Sequence, residues 1–158
     1  MRFVFIDRIE EIEKNKYAKG IKAISFEEGL LKSPSYEKGS FPPLLLLESA
    51  AQLASWLIMY SSDFKLIPMI AKMEKVSVFG NVKSGDILNI ELNIISMNEE
   101  GALLNAEIFS SGRLVTKGEN CLCVFAELEK FVDPAEMAAM FSDISKNAKF
   151  HGGEEELQ

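Results

Sequence analysis

The sequence FPPLLLLESAAQLASWLIMY spans residues 41–60 and sets the architecture expected for the whole chain. It is long enough for a helix of about five turns, and it is apolar on almost every side. A helix that is apolar all round is buried, either in the core of a protein or in a membrane. Pro43 suits the first helical position and disfavours helical geometry at Pro42, so we expect the helix to begin at Pro43.

The few polar side chains of this segment share one face of the predicted helix. Glu48, Gln52 and Ser55 are spaced i, i+4 and i+7, which places them next to one another along that face. A carboxylate enclosed by leucines is costly unless it is paired or used. We therefore expect Glu48 to be buried, and we identify it as a candidate catalytic acid or base with Gln52 as its support.

The composition of the chain excludes several classes of protein. Its 158 residues suffice for one domain with a real core, and the net charge of -7 argues against binding to nucleic acid, which requires clusters of Lys and Arg. The charge in the 41–60 segment would cost roughly 2.5–3.5 kcal/mol in a bilayer, so we expect no membrane span. The N-terminus lacks a signal-peptide core, so we expect a cytoplasmic protein. Cys121 and Cys123 have neither zinc nor redox spacing, and we interpret them as core residues.

The chain after the helix is typical of a β meander. Residues 88–94 alternate between apolar and polar side chains, and residues 104–108 and 121–128 supply further strands after short turns. Successive strands joined by short turns form an antiparallel sheet. Residues 17–24 alternate less regularly and predict one more strand, with a bulge or bend at Gly20. We expect an α+β fold in which the sheet wraps around the central helix, because only wrapping covers such a helix from several sides.

The C-terminal region predicts a second helix and a tail. Asp133-Pro134-Ala135-Glu136 combines an N-cap residue, a proline at the first helical position and a glutamate at the third. This start predicts a docking helix within residues 131–145. Residues 146–158 are polar, contain His151, the only histidine of the chain, and predict a disordered tail.

Three segments of the chain carry a resemblance to a known family. Phe5-Ile6-Asp7-Arg8 is similar to the family's opening hydrophobic-Asp-Arg strand. PPLLLLESAAQ at residues 42–52 is similar to its P-G-V-L-I-x-E-x-x-A-Q helix start, and VKSGD at residues 82–86 is similar to its V-x-P-G-D turn. In this order the segments resemble the hotdog-fold 3-hydroxyacyl-acyl carrier protein dehydratases of the FabZ type. The resemblance implies a hotdog domain over residues 1–130.

The resemblance also implies a homodimer with sites between the subunits, which acts on acyl chains carried by the pantetheine arm of acyl carrier protein or coenzyme A and needs no cofactor or metal. The family uses a histidine as base, a carboxylate on the helix for the departing hydroxyl, and a backbone N–H for the thioester oxygen. Glu48 matches the carboxylate, and Gln52 matches the family's glutamine. Five further residues are implied to contact the substrate: Ser33, Pro34, Pro43, Leu44 and Leu45.

Two of the three catalytic groups are missing from this sequence. Counted back from Glu48 without gaps, the family's histidine falls on Pro34, and the loop at residues 25–40 contains no histidine. The family's P-G glycine falls on Pro43, which has no N–H to donate. We therefore expect impaired dehydration, by roughly 10²–10⁴ for the lost base and roughly 10²–10³ for the lost oxyanion donor.

Three functions are compatible with this pattern. In the first, the chain binds acyl thioesters without efficient dehydration, either as a homodimer or as the subunit that supplies Glu48 to a histidine-bearing hotdog paralogue. In the second, it is an acyl thioesterase in which Glu48 activates water, because a leucine-rich setting suits acid–base chemistry. In the third, it is a structural or hydrophobe-binding hotdog protein in which Gln52 merely satisfies Glu48.

Overall fold

The computed structural model describes residues 4–27 and 40–152, which form a seven-stranded sheet packed against a long helix. In chain order the elements are β1 (Arg8–Glu13), β2 (Tyr17–Ala23), α1 (Pro43–Ser61), β3 (Leu66–Val78), β4 (Ile87–Met97), β5 (Gly101–Ser110), β6 (Arg113–Glu127), a 3₁₀ turn (Leu128–Lys130), α2 (Pro134–Ile144) and β7 (Lys149–His151).

The sheet has the strand order β3-β6-β5-β4-β2-β1-β7. Neighbouring strands are antiparallel except for β1 and β7, which are parallel. The consecutive pairs β4–β5 and β5–β6 confirm the predicted meander. Because α1 contacts every strand from β1 to β6, the sheet curves around the helix, and the predicted α+β architecture is confirmed.

The helix α1 begins at Pro43, as predicted, after Pro42 in extended geometry. One side of α1 is buried against the sheet, and Leu53 and Leu57 are fully enclosed there. The burial does not extend to every side, since Leu44 is 74% exposed. An open sheet covers a helix from one side, so the opposite side of α1 stays accessible in the single chain.

By length and composition alone, α1 could also cross a membrane. Half of its most apolar window is buried inside the fold, and the core helix of a soluble protein passes the same test. The contacts of α1 with six strands are those of a core helix.

Gly20 allows α1 to lie close to the sheet. A Cβ atom at this position would lie 3.1 Å and 3.3 Å from the two methyl carbons of Leu53 on α1. The bulge predicted at Gly20 is wrong, because the irregularity lies in β1 between Ile9 and Glu11. The glycine is needed for helix packing rather than for a bend in its own strand.

The C-terminal helix α2 forms as the sequence predicts. Asp133 caps it by accepting a hydrogen bond from the Ala135 N–H at 2.9 Å, and Pro134 is the first helical residue. Phe141 of α2 stacks on Tyr60 of α1, with ring centroids 4.9 Å apart. This contact docks α2 onto the C-terminal half of α1.

The sequence predicts a disordered tail from residue 146, whereas Lys149–His151 form β7 beside β1. His151 Nε2 lies 3.8 Å from Glu11 Oε2, and the His151 ring lies 6.1 Å from the ring of Tyr17. The main-chain pairing with β1 and these side-chain contacts hold the strand in place. Residues 153–158 lie outside the described part of the chain.

Candidate functional site

Glu48 and Gln52 form a hydrogen-bonded pair on α1. The Gln52 Nε2 amide donates to Glu48 Oε1 at 3.0 Å. The backbone N–H of Phe5 donates to Gln52 Oε1 at 2.8 Å, which sets the orientation of the amide because only its oxygen can accept. Gln52 therefore connects the segment before β1 to the carboxylate of Glu48.

Glu48 lies on the accessible side of α1. The prediction of a buried carboxylate is wrong for the single chain, since Glu48 is exposed while its neighbours Ser49 and Ala50 are buried. Leu44, one helical turn earlier on the same side, is also exposed. The sequence places Glu48 among leucines correctly, but the open sheet leaves that side of the helix uncovered.

A cavity of about 200 Å³ lies between α1 and strands β3 to β6. It exists because small residues face one another across it. Ala50, Ala51 and Ala54 project from the helix, and Ala106 of β5 and Gly118 of β6 lie in the sheet. Glu48 and Gln52 also line this cavity, so it combines apolar walls with one polar pair.

A surface groove of about 490 Å³ adjoins the cavity. Glu48 and Gln52 line both spaces, as do Ile70 and Met73 of β3, so these residues surround the mouth of the cavity. The groove continues over further apolar residues, namely Phe5, Leu44 and Leu45. A ligand with an apolar chain and a polar head would find a cavity for the former and the Glu48–Gln52 pair beside the latter.

The structure brings together only some of the residues implied to contact substrate. Leu44 and Leu45 line the groove beside Glu48. Pro43 provides the first residue of α1 and is absent from the described lining of both the cavity and the groove. Ser33 and Pro34 lie outside the described residues.

Two serines near Glu48 are bound to the helix backbone. The Ser49 hydroxyl donates to Leu45 O at 3.0 Å, and the Ser55 hydroxyl donates to Ala51 O at 3.0 Å. A serine nucleophile needs an adjacent base, and the histidine of this chain is on β7. The carboxylate of Glu48 is therefore the reactive group that this site offers.

Cys121 and Cys123 line the cavity, a position that sequence reasoning did not identify. Both thiols are free and buried, and burial raises the pKa of each above its ordinary value of 9.0. The Cys123 thiol also donates to Ala102 O at 3.5 Å. At neutral pH both side chains are neutral and add to the apolar wall. Their alternation along β6 was the available signal, but it indicates only that they point inward.

His151 lies at one edge of the sheet, and the cavity lies toward the other edge. The cavity is lined by β3 to β6, whereas β7 is the last strand at the other edge. In addition, Phe150 of β7 packs against Tyr60 in the last turn of α1, with ring centroids 5.6 Å apart, whereas Glu48 lies in the second turn. Within one chain, His151 is therefore distant from Glu48. Among residues 4–27 and 40–152, no group of three His, Cys, Asp or Glu side chains could hold a metal ion.

No family model matches this chain. Comparisons of sequence and of structure both find similar proteins. The 3-hydroxyacyl-[acyl-carrier-protein] dehydratase FabZ of Caldicellulosiruptor saccharolyticus is 33% identical over 118 residues, which cover 74% of this chain and 84% of the relative. A Streptococcus mutans protein solved with bound acetyl CoA aligns with a TM-score of 0.64 and 11% identity, over 80% of this chain and 94% of that chain. A hot-dog-like protein of Thermanaerovibrio acidaminovorans aligns with a TM-score of 0.61 and 13% identity, over 79% and 90%.

Proposed function

The chain belongs to the FabZ family of 3-hydroxyacyl-acyl carrier protein dehydratases and has the hotdog fold, and from that premise we propose that it binds acyl thioesters. The acyl chain occupies the cavity under α1, and the thioester lies at the mouth beside Glu48. The pantetheine arm of acyl carrier protein or coenzyme A runs outward along the groove over Leu44 and Leu45. The reaction site needs no metal or other cofactor, and we expect it to operate in the cytoplasm.

One observation carries this function: a hydrogen-bonded carboxylate–amide pair lies at the mouth of an apolar cavity. Binding sites for small molecules combine apolar walls with a few placed polar groups, and this cavity has that composition. Gln52 holds the Glu48 carboxylate at 3.0 Å, with its own amide held by Phe5. Support of this kind keeps a reactive group in one geometry, which acid–base chemistry requires.

Standard dehydration is impaired in this chain. Removal of the α-proton requires a base, and the only histidine is on β7, at the sheet edge far from the cavity. Pro43 cannot supply an N–H for the thioester oxygen at the start of α1. Loss of a general base alone lowers the rate by roughly 10²–10⁴, so we expect bound acyl thioester to persist rather than turn over by dehydration.

A second subunit completes the site by pairing along β3. This 13-residue strand is paired with β6 on one side and forms the edge of the described sheet on the other. Several large apolar side chains on or beside it are exposed: Met69, Ile70, Val76, Val78 and Phe79. A long apolar edge is a site of unwanted association unless another strand covers it. We therefore assign β3 to an antiparallel contact between two copies of this chain, which would also cover the mouth beside Ile70 and Met73.

Sedimentation equilibrium tests the dimer. Val76→Asp places a charge in the proposed contact and should convert the dimer to a monomer. Ile95→Asp, a change at an exposed apolar residue of β4 away from the sheet edges, should leave the dimer intact. A monomeric wild-type chain would contradict homodimerisation. Assembly of that monomer with a histidine-bearing paralogue would instead support the heteromeric alternative, in which this chain contributes Glu48.

A thioesterase activity is the second candidate. Gln52 holds the Glu48 carboxylate beside the position proposed for the thioester carbonyl. Glu48 would activate a water molecule for attack on that carbonyl. The test is hydrolysis of butanoyl-CoA and octanoyl-CoA by wild type, Glu48→Gln and a matched control, Glu99→Gln. Glu99 is exposed in the turn between β4 and β5.

The outcomes separate the three functions. Binding without hydrolysis in wild type supports the acyl-thioester-binding protein. Hydrolysis that is lost in Glu48→Gln and kept in Glu99→Gln supports the thioesterase. Absence of binding would overturn both and leave a structural role, while dehydration of 3-hydroxyacyl carrier protein at family rates would overturn the impaired chemistry.

A further inference from the structure

One end of the cavity is formed by two small residues that face each other in the sheet. Ala106 of β5 is the direct pairing partner of Gly118 of β6. A Cβ atom on Gly118 would lie 3.2 Å from Cys121 Sγ and 4.0 Å from Ala106 Cβ. One added methyl group would therefore fill the remaining space at this point.

Beyond this pair the interior is closed. The next inward-facing residue on β5 is Ile108, which is 1% exposed, and the next on β6 is Thr116, which is 0% exposed. On β4 the cavity is bounded by Leu92, and the following inward residue, Ile90, is 0% exposed. The three fully buried residues Ile90, Ile108 and Thr116 are absent from the described lining, so in this direction the cavity ends at the Ala106–Gly118 pair.

The volume of the cavity limits what it can hold. An engineered protein cavity of about 150 Å³ takes up benzene, and pockets for drug-sized ligands begin at about 300 Å³. At about 200 Å³ this cavity lies between those two limits. It therefore has room for a short apolar chain and not for a long one.

We propose that the cavity selects short acyl chains over long ones such as dodecanoyl, and that Ala106 and Gly118 determine this limit. This inference rests on the proposed binding of acyl thioesters and adds the class of acyl chain. A longer chain finds no further space past this pair and must leave part of its length in the groove or in water. Each methylene that enters the cavity strengthens binding by about four-fold, equivalent to about 0.8 kcal/mol, until the end is reached.

The two cysteines of the chain provide a direct readout of occupancy. Cys121 and Cys123 are the only cysteines in the sequence, and both line the cavity. Their rate of reaction with a small thiol reagent should fall when an acyl chain fills the space beside them. Protection is titrated with butanoyl-, hexanoyl-, octanoyl- and dodecanoyl-CoA, with calorimetric titration of the same ligands in parallel.

The expected result is a rise in affinity from butanoyl-CoA to octanoyl-CoA and no further rise for dodecanoyl-CoA. Ala106→Val should weaken octanoyl-CoA relative to butanoyl-CoA by at least about ten-fold, since it removes room for two or more methylenes. Gly118→Ala should act in the same direction by about four-fold, for one methylene. The matched control is Ala18→Val on β2, an inward and fully buried alanine that does not line the cavity.

Three results bear on the inference. Affinity that keeps rising to dodecanoyl-CoA in wild type would overturn it, whatever the variants do. An unchanged octanoyl-to-butanoyl ratio in folded Ala106→Val and Gly118→Ala would overturn the assignment of these residues. If no acyl-CoA binds or protects the thiols, the proposed function itself fails, which is distinct from binding without selection by length.

Discussion

Replacing Phe141 by alanine should remove most of the contact between α2 and α1. Phe141 is 6% exposed and contacts four aromatic rings. Its ring centroid lies 4.9 Å from Tyr60, 5.6 Å from Phe64, 6.1 Å from Trp56 and 6.4 Å from Phe150. The substitution therefore acts on α2, on the C-terminal half of α1 and on β7 at once.

The magnitude follows from burial and ring geometry. Truncation of a buried phenylalanine to alanine costs about 3–5 kcal/mol, and the aromatic pairs put Phe141 in the upper part of that range. A single domain has an unfolding free energy of about 5–15 kcal/mol, so about a fifth or more of the stability is lost. For a chain of this length the midpoint of thermal unfolding should fall by roughly 6–20 °C.

Thermal and urea unfolding of Phe141→Ala, followed by circular dichroism, measure this change. The control is Phe131→Ala, since Phe131 is 58% exposed and its truncation should change the unfolding free energy by less than about 1 kcal/mol. Equal effects of the two substitutions would refute the reasoning, because they would show that α2 gains nothing from the aromatic cluster. Acyl-CoA binding should survive in Phe141→Ala below its melting temperature, as this residue does not line the cavity.

Three further perturbations give separate tests. Gln52→Met removes the acceptor of the Phe5 N–H and should lower the unfolding free energy by about 1–3 kcal/mol in urea titrations, together with a loss of acyl-CoA affinity. Thr116→Val removes a buried hydroxyl for which the described residues provide no partner, and it should raise the thermal midpoint rather than lower it. Burial raises the pKa of the Cys121 and Cys123 thiols, so the folded chain holds these protons more tightly than the unfolded chain. The stability from this difference is present below the ordinary thiol pKa of 9.0 and is lost as the pH rises through the raised native pKa values. In that pH range the melting temperature of the wild type should therefore fall more steeply than that of a Cys121→Ala/Cys123→Ala double variant.

The elements of this fold were predictable where their signals are local. Pro42 and Pro43 determine the start of α1 because each restricts backbone angles within one or two residues. Asp133 and Pro134 determine the start of α2 in the same way. The period-two alternation of residues 88–94 predicts β4 because successive side chains of a strand point to opposite faces.

The candidate site was predictable only in part. The spacing of Glu48 and Gln52 places them in contact whatever surrounds the helix, and they form a hydrogen bond. The exposure of Glu48 depends on which side of α1 the sheet covers, and that is decided by strands far away in the sequence. A run of leucines indicates burial of the helix but does not indicate from which direction.

The sequence by itself determined where the helices begin, which strands pair in succession and which polar residues share a helix face. These features follow from backbone restrictions and side-chain periodicity over a few residues. Only the tertiary structure decided that a cavity exists. Ala106 and Gly118 are ordinary small residues in their own strands, and they leave a space only because β5 and β6 pair in one register beneath the alanines of α1. Likewise, the three residues of β7 carry no strand signal and are held by pairing with β1, some 140 residues away. A contact between distant segments obtains its free energy from both partners, so neither segment alone encodes it.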